Sequence, residues 1–302
     1  MPGLRRVGMD HDLYGWSPLP SRPKLTWPNG ARVAVCIIVN LEHWAWDPPT
    51  DPFVPVTFYG GVGWRPHPDI GNFSHREYGN RVGVFRVMQE LDRWGLRASA
   101  AIDLAVAQHY PFLVQECARR GWEFIAHGQA VNRIISSKLT EAQERDYIME
   151  TVRGIADATG VQPRGWLGPE FGESARTPWL LHEAGIQYVC DWPNDEQPYL
   201  MRSQGNGLYA LPVTLDLDDV FTMWTRNVPP ARYSRMVCEA FEVLYADGGD
   251  HPRLLVWNLH PWLIGQPFRI KYLAQALAHL QGRQRVWYAT GSEIIDWYAA
   301  QR

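Results

Sequence analysis

No long run of one charge, no long apolar stretch and no close pair of cysteines occurs in this chain of 302 residues. Lys and Arg number 29 against 32 Asp and Glu, a formal net charge of −3. That balance gives no electrostatic footprint for nucleic acid and no basic patch for an anionic membrane. The four cysteines (Cys36, Cys117, Cys190 and Cys238) form no CxxC, and Cys36 and Cys190 lie in apolar runs, so buried reduced thiols are expected rather than disulfides or a metal cluster. No apolar span reaches 18 residues, and no apolar segment follows the basic N-terminal residues. A soluble cytoplasmic protein is the expectation. No GxGxxG follows a strand-like run, and neither a GxSxG elbow nor a Walker A sequence is present.

What is present is apolar alternation. The length suffices for one large core. Residues 1–31 are proline-rich with few periodic apolar positions and read as a surface-hugging N-terminal extension, leaving 32–302 as the main domain. Val33 to Val39 is an unbroken apolar run, as in a strand buried on both faces. Residues 47–79 form a long connection rich in Pro and Gly, of the kind used as a lid, binding loop or assembly element. Helical spacing follows at Val82, Phe85, Met88, Leu91 and Trp94, then strand-like and helical stretches alternate to the end. Thr140-Glu-Ala-Gln143 is a capping box opening a helix. Tyr209–Val213 and Val220–Trp224 read as strands. Seven to eight strands alternating with helices predict an α/β fold with a parallel sheet, closed or nearly closed into a barrel.

In such folds the active-site groups collect at strand C-termini. Three strand-like runs end in polar residues there: Asn40, Glu42 and His43 after the first, His127 after Glu123–Ala126, and His260 after Leu254–Leu259. Glu42, if rimmed by apolar side chains, would have a raised pKa and serve as a general base; His43 points to the opposite side if the extended geometry continues. His127 reads equally as a substrate donor or a metal ligand, with Asn132 turned back beside it. Arg164 orients a carboxylate or forms an ordinary salt bridge, and the turn from Trp166 through Gly168 offers backbone N–H groups to an oxyanion. Asp191 is placed to hold His260 in the tautomer a general acid needs. Fifteen tryptophans are the oddity of composition. Most tryptophans pack in cores, but Trp44, Trp166, Trp192 and Trp262 sit at or beyond strand ends, where aromatics also wall pockets.

These motifs, in order, resemble the polysaccharide deacetylase superfamily (NodB homology, carbohydrate esterase family four), and within it the intracellular branch of deacetylase-like allantoinases and cyclic-imide hydrolases. The resemblance rests on Arg76-Glu-Tyr-Gly-Asn-Arg-Val-Gly83, His127-Gly128, Gly165-Trp-Leu-Gly-Pro169, Asp191-Trp-x-Asn-Asp195 and His260-Pro-Trp-x-x-Gly-Gln-Pro267. It implies a distorted (β/α)7-type barrel, assembled as a homodimer or homotetramer. It further implies that Glu42 stands at the place of the catalytic base and His43 where a metal-binding aspartate would be. His127 matches the first histidine of an HxxxH motif whose second position here is Val131. Arg164 and Gly168 match a motif that positions the base, with Trp166 in place of proline; Asp191 matches the aspartate that tunes the catalytic histidine, and His260 is that histidine. A Zn2+ or other divalent ion on His43 and His127 is one implied arrangement, and metal-free chemistry is the other. The implied function is hydrolysis of a linear or cyclic amide C–N bond in a small molecule such as a cyclic imide, hydantoin or ureide, with N-deacetylation of an amino sugar or short glycan as the alternative and an inactive ligand-binding barrel as the third reading.

Overall fold

The computed structural model describes residues 10–48, 65–202 and 207–302. Among them nine strands form one sheet: β1 (Val33–Leu41), β2 (Ser99–Ile102), β3 (Glu123–Ala126), β4 (Gly165–Trp166), β5 (Tyr188–Val189), β6 (Tyr199–Leu200), β7 (Tyr209–Ala210), β8 (Arg253–Leu259) and β9 (Val286–Tyr288). β1 is the hub. One edge pairs with β8 along Val33–Val39; the other is shared, with β9 on Val33–Val35 and β2 on Ile38–Leu41. From β2 the sheet continues through β3, β4, β5 and β7, all parallel, and only β6 runs antiparallel. The path from β8 to β7 therefore carries seven parallel strands, as a (β/α)7 barrel requires. Its two ends meet through single bonds, Thr214 N–H to the Val256 carbonyl at 3.0 Å and Leu254 N–H to the Glu196 carbonyl at 2.8 Å.

A strand buried on both faces sorts its side chains by parity. Val33, Val35, Ile37, Val39 and Leu41 join the larger core, packed against Val84, Val87, Met88 and Leu91 of the helix Val84–Arg93 and Val237 and Phe241 of the helix Pro230–Asp247. Ala34, Cys36 and Ile38 join a second cluster with Ala101, Ile125, Leu167, Cys190, Leu211 and Val256, which fills the barrel. Each large aliphatic side chain so buried contributes about 1.5–3 kcal/mol. Both clusters need apolar residues, which is why β1 reads as an unbroken apolar run. The extension reaches further in than a surface strap: Leu25 and Trp27 belong to the barrel cluster, and Trp27 Nε1 donates to the Arg253 carbonyl at 2.8 Å.

The capping box at Thr140 and Gln143 opens the helix Glu141–Thr159 as expected. Two segments differ from the sequence reading. Val220–Thr225 is a π-helical turn rather than a strand; Asp218 Oδ1 accepts the Phe221 N–H at 2.8 Å and starts the turn. Of the 47–79 connection, residues 49–64 lie outside the described residues, while Ile70–Tyr78 is a helix whose N-cap Asp69 accepts the Asn72 N–H. Among the described residues no helix is long and apolar enough to cross a membrane.

Candidate active site

The parity of β1 and β8 decides what enters the barrel mouth. Continuing the inward series Ala34, Cys36, Ile38 brings in Asn40 and Glu42; continuing Leu254, Val256 brings in Asn258 and His260. These four side chains, with His127, Trp262 and the turn from Leu167 to Phe171, line a cavity of about 430 Å³ with its open mouth included. Leu215, Asp218, Val220 and Phe221 complete the wall.

Glu42 is the centre. Its Oε1 lies 3.5 Å from His260 Nε2 and 3.7 Å from His127 Nε2. Its Oε2 accepts the Trp262 indole N–H at 2.7 Å and lies 3.5 Å from Arg76 Nε. Burial pushes the Glu42 carboxyl up, but the positive charge of His260, the nearness of His127 and the Arg76 guanidinium outweigh it and hold the group at about 2. The raised value expected from the sequence is thus reversed, because the apolar rim comes with three basic neighbours. Arg76, from the helix Ile70–Tyr78, is itself buried, stacked 4.5 Å from the Trp262 ring and 5.1 Å from the Trp44 ring. Trp262 is pressed into place by glycines: Gly79 and Gly83 abut the backbone of Trp262 and Pro261, and a Cβ on Gly83 would stand 2.1 Å from the Pro261 carbonyl oxygen.

His260 is held from behind by Asp219. The ring Nδ1 donates to Asp219 Oδ1 at 2.7 Å, and both carboxylate oxygens accept the His260 backbone N–H at 3.0–3.1 Å. Burial opposes charge on the ring, yet Asp218, Asp219 and Glu42 together raise it to about 10. A second chain of bonds sets the floor of the mouth: Asn40 Nδ2 donates to Asn258 Oδ1 at 2.7 Å, and Asn258 Nδ2 to Asp218 Oδ2 at 2.7 Å. His127 Nδ1 donates to the Leu167 carbonyl at 2.5 Å, which fixes the tautomer and turns Nε2 to the cavity, where it has no hydrogen-bond partner among the described residues.

Six residues assigned from the sequence are corrected by these positions. His43 follows the outward parity: its ring packs against Phe73, His109 and Tyr110 and takes no part in the cavity wall, so it does not meet His127 to hold a metal. Asp191 does not touch His260; its Oδ1 accepts the Gly168 N–H at 2.7 Å and so braces the turn after β4. Arg164 precedes β4 instead of following it, which puts it at the opposite end of the barrel, paired with Asp296 and Gln187. Asn132 turns away from the mouth and clamps the Ala45 N–H and carbonyl at 2.8 and 3.1 Å. Trp166 is fully buried in the outer core and Trp192 donates to Glu173 at 3.1 Å beside Tyr14, so neither lines the cavity, unlike His127, Gly168 and Trp262. Sequence reasoning had no role for Arg76, Asp218, Asp219, Asn258 or Glu170; the one signal that could have marked any of them is the adjacent acidic pair Asp218-Asp219 between two strand-like runs.

Asp218, Asp219 and His260 offer ligand-type atoms within 4.8 Å of one another. Their hydrogen bonds do not fit a metal cage. Asp219 is committed to His260 N–H and Nδ1–H, Asp218 to Asn258 and the Phe221 N–H, and Nδ1 carries the proton that a metal would have to replace. The trio is arranged as a carboxylate-backed histidine.

Residues 77–189 match the family model described as polysaccharide deacetylase. A solved structure of the allantoinase PuuE superimposes with a TM-score of 0.86 at 26% identity, over 98% of this chain and 99% of that one. A protein of Schizosaccharomyces pombe provisionally named a polysaccharide deacetylase is 25% identical over 96% of this chain and 97% of its own length. A peptidoglycan deacetylase of Helicobacter pylori is 23% identical over 78% of this chain and 90% of its own. The fold, the ordered motifs and these matches lead to one conclusion: residues 77–189 match a polysaccharide deacetylase domain of the NodB, carbohydrate esterase family four, kind, and the chain is similar over nearly its whole length to the allantoinase and the Schizosaccharomyces pombe protein.

Proposed function

We propose that this protein hydrolyses an amide C–N bond in a small cyclic molecule such as an imide, hydantoin or ureide. The observation that carries the reading is the convergence of Glu42 Oε1 with His260 Nε2 and His127 Nε2 at 3.5 and 3.7 Å inside a small cavity. Those separations are too long for direct hydrogen bonds and suit a reacting oxygen held between the three groups. Glu42, held ionised, takes a proton from water as the water attacks the carbonyl carbon. His260, held charged by Asp219, gives its Nε2 proton to the departing nitrogen. The Leu167 carbonyl occupies the His127 Nδ1 proton, so Nε2 donates to the developing oxyanion when the ring is charged and accepts from substrate when it is neutral. The similarity to the allantoinase and the size of the cavity support a small substrate.

Purified protein incubated with succinimide, hydantoin and allantoin should release ring-opened products, and Glu42→Gln should lower kcat by about 10²–10⁴. Full activity in that variant would remove Glu42 from the base role. N-deacetylation of an amino sugar is the second reading, favoured by the match to the polysaccharide deacetylase model; acetate release from chitooligosaccharides without imide opening would establish it.

A further inference from the structure

Glu170 lines the same cavity as Glu42, His127 and His260, yet the reaction just described gives it no task. It sits in the turn Pro169–Phe171 at φ 54°, ψ 29°, and Phe171 follows at φ 55°. Two successive non-glycine residues in the left-handed region are costly and persist where surrounding structure requires them. Asp191 holds the turn through the Gly168 N–H, and the tight seat of Gly172, whose Cβ would stand 2.3 Å from Ile134 Cγ2, holds its other end. The result presents a carboxyl whose Oε2 is out of solvent and has no hydrogen-bond partner among the described residues. Burial pushes this carboxyl well above the usual range; the charges of Glu42 and Asp218 add to the effect, and Arg76 and His260 offset only part of it. A neutral carboxyl carries one O–H donor and one C=O acceptor side by side.

The complement of that pair is an N–H and a C=O on the same edge of an amide, which means a cis amide. An open-chain secondary amide, such as the N-acetyl group of an amino sugar, prefers trans by roughly 2.5 kcal/mol or more. A lactam, cyclic imide or hydantoin is cis by ring closure. We propose that the Glu170 side chain pairs with the cis N–H/C=O edge of a cyclic substrate through two parallel hydrogen bonds, making Glu170 the residue that selects rings over N-acetyl groups. A cyclic imide held this way keeps its second carbonyl for attack beside Glu42. The inference rests on the amide-hydrolase reading for which carbonyl reacts; the binding preference stands without it.

The test is equilibrium binding of 2-pyrrolidinone, N-methyl-2-pyrrolidinone and N-acetylglucosamine to the wild type, Glu170→Gln and Glu170→Leu, each checked for an unchanged cooperative melt. Glutamine keeps one donor and one acceptor, and leucine keeps only the bulk. The wild type and Glu170→Gln should bind the N–H lactam about tenfold or more tighter than its N-methyl form, from the paired hydrogen bonds lost on methylation. Glu170→Leu should bring that ratio close to one. Equal binding of the two lactams by wild type, a preference kept by Glu170→Leu, or N-acetylglucosamine bound as well as the N–H lactam would each overturn the proposal. Succinimide hydrolysis, measured separately, distinguishes the two readings. A protein that prefers the N–H lactam but opens no imide refutes the hydrolase assignment alone; one that opens imides without the preference refutes the role of Glu170 alone.

Discussion

Replacing Asp219 by Asn tests the site at its most specific point. Asparagine keeps the shape but removes the negative charge 2.7 Å from His260 Nδ1, and its amide N–H group competes to face that nitrogen. Three carboxylates raise His260 from 6.5 to about 10, and Asp219 is the one in direct contact. His260 acts as an acid only while protonated, so activity should fall as pH rises through about 10 in the wild type. Without Asp219 that alkaline limb should move down by about one to two pH units, each worth about 1.4 kcal/mol of interaction with the charged ring. Turnover at neutral pH should also drop by about 10²–10⁴, because the ring loses the tautomer that aims a proton at the leaving nitrogen. The assay is kcat/KM against pH for imide opening, followed by loss of ultraviolet absorbance. Asp191→Asn is the control: it loosens the Gly168 turn but touches no atom of His260, so it should lower kcat/KM without moving that limb. If Asp191→Asn moved the limb and Asp219→Asn left it in place, the assignment of the histidine's partner would be refuted.

Three further outcomes follow from the same geometry. Trp262→Phe removes the indole N–H that Glu42 Oε2 accepts at 2.7 Å, a charge-assisted bond worth about 1.5–3 kcal/mol; the acid limb should rise from about 2 towards 4.5 and kcat fall, and an unchanged profile would mean the bond does not support the base. Gly83→Ala sets a Cβ 2.1 Å from the Pro261 carbonyl oxygen, against backbone that cannot rotate away; urea denaturation should show a loss of about 1–3 kcal/mol or more, with reduced activity as Trp262 shifts. Dialysis against a strong chelator should leave activity and melting temperature unchanged, since the carboxylate oxygens of Asp218 and Asp219 and the Nδ1 of His260 are already committed to hydrogen bonds; loss of activity restored by zinc would reverse that conclusion.

The sequence was most informative where backbone period and chemistry coincide. In β1 every second residue faces the barrel, so a reader who places Cys36 inside must place Glu42 inside and His43 outside, and the structure does both. The same count from Val256 delivers His260. Where the period stops, so does legibility. Arg164 shares a motif with Gly168, but it stands before its strand, and only the direction of β4 shows that the two belong to opposite ends of the barrel. Trp166 and Trp192 sit beside polar strand ends in sequence, yet one is packed into the outer core and the other held by Glu173.

Asp219 shows why a local motif cannot name a catalytic partner. It lies 41 residues from His260 in an irregular segment after β7, where a 3-10 turn at Leu215–Leu217 and the π-helical turn at Val220–Thr225 bend the chain across the barrel's seam. Thr214 N–H bonds to the Val256 carbonyl there, so the seam that closes the sheet also fixes where the next residues pass. Asp218 and Asp219 then reach β8 from the side, one to Asn258 and the other to His260, which alternate inward along that strand. Barrel closure and acid positioning are therefore one structural event. A change that weakened the Thr214 to Val256 seam should disturb the His260 titration before it unfolds the outer core, because the seam rests on single hydrogen bonds while the core rests on buried aliphatic area.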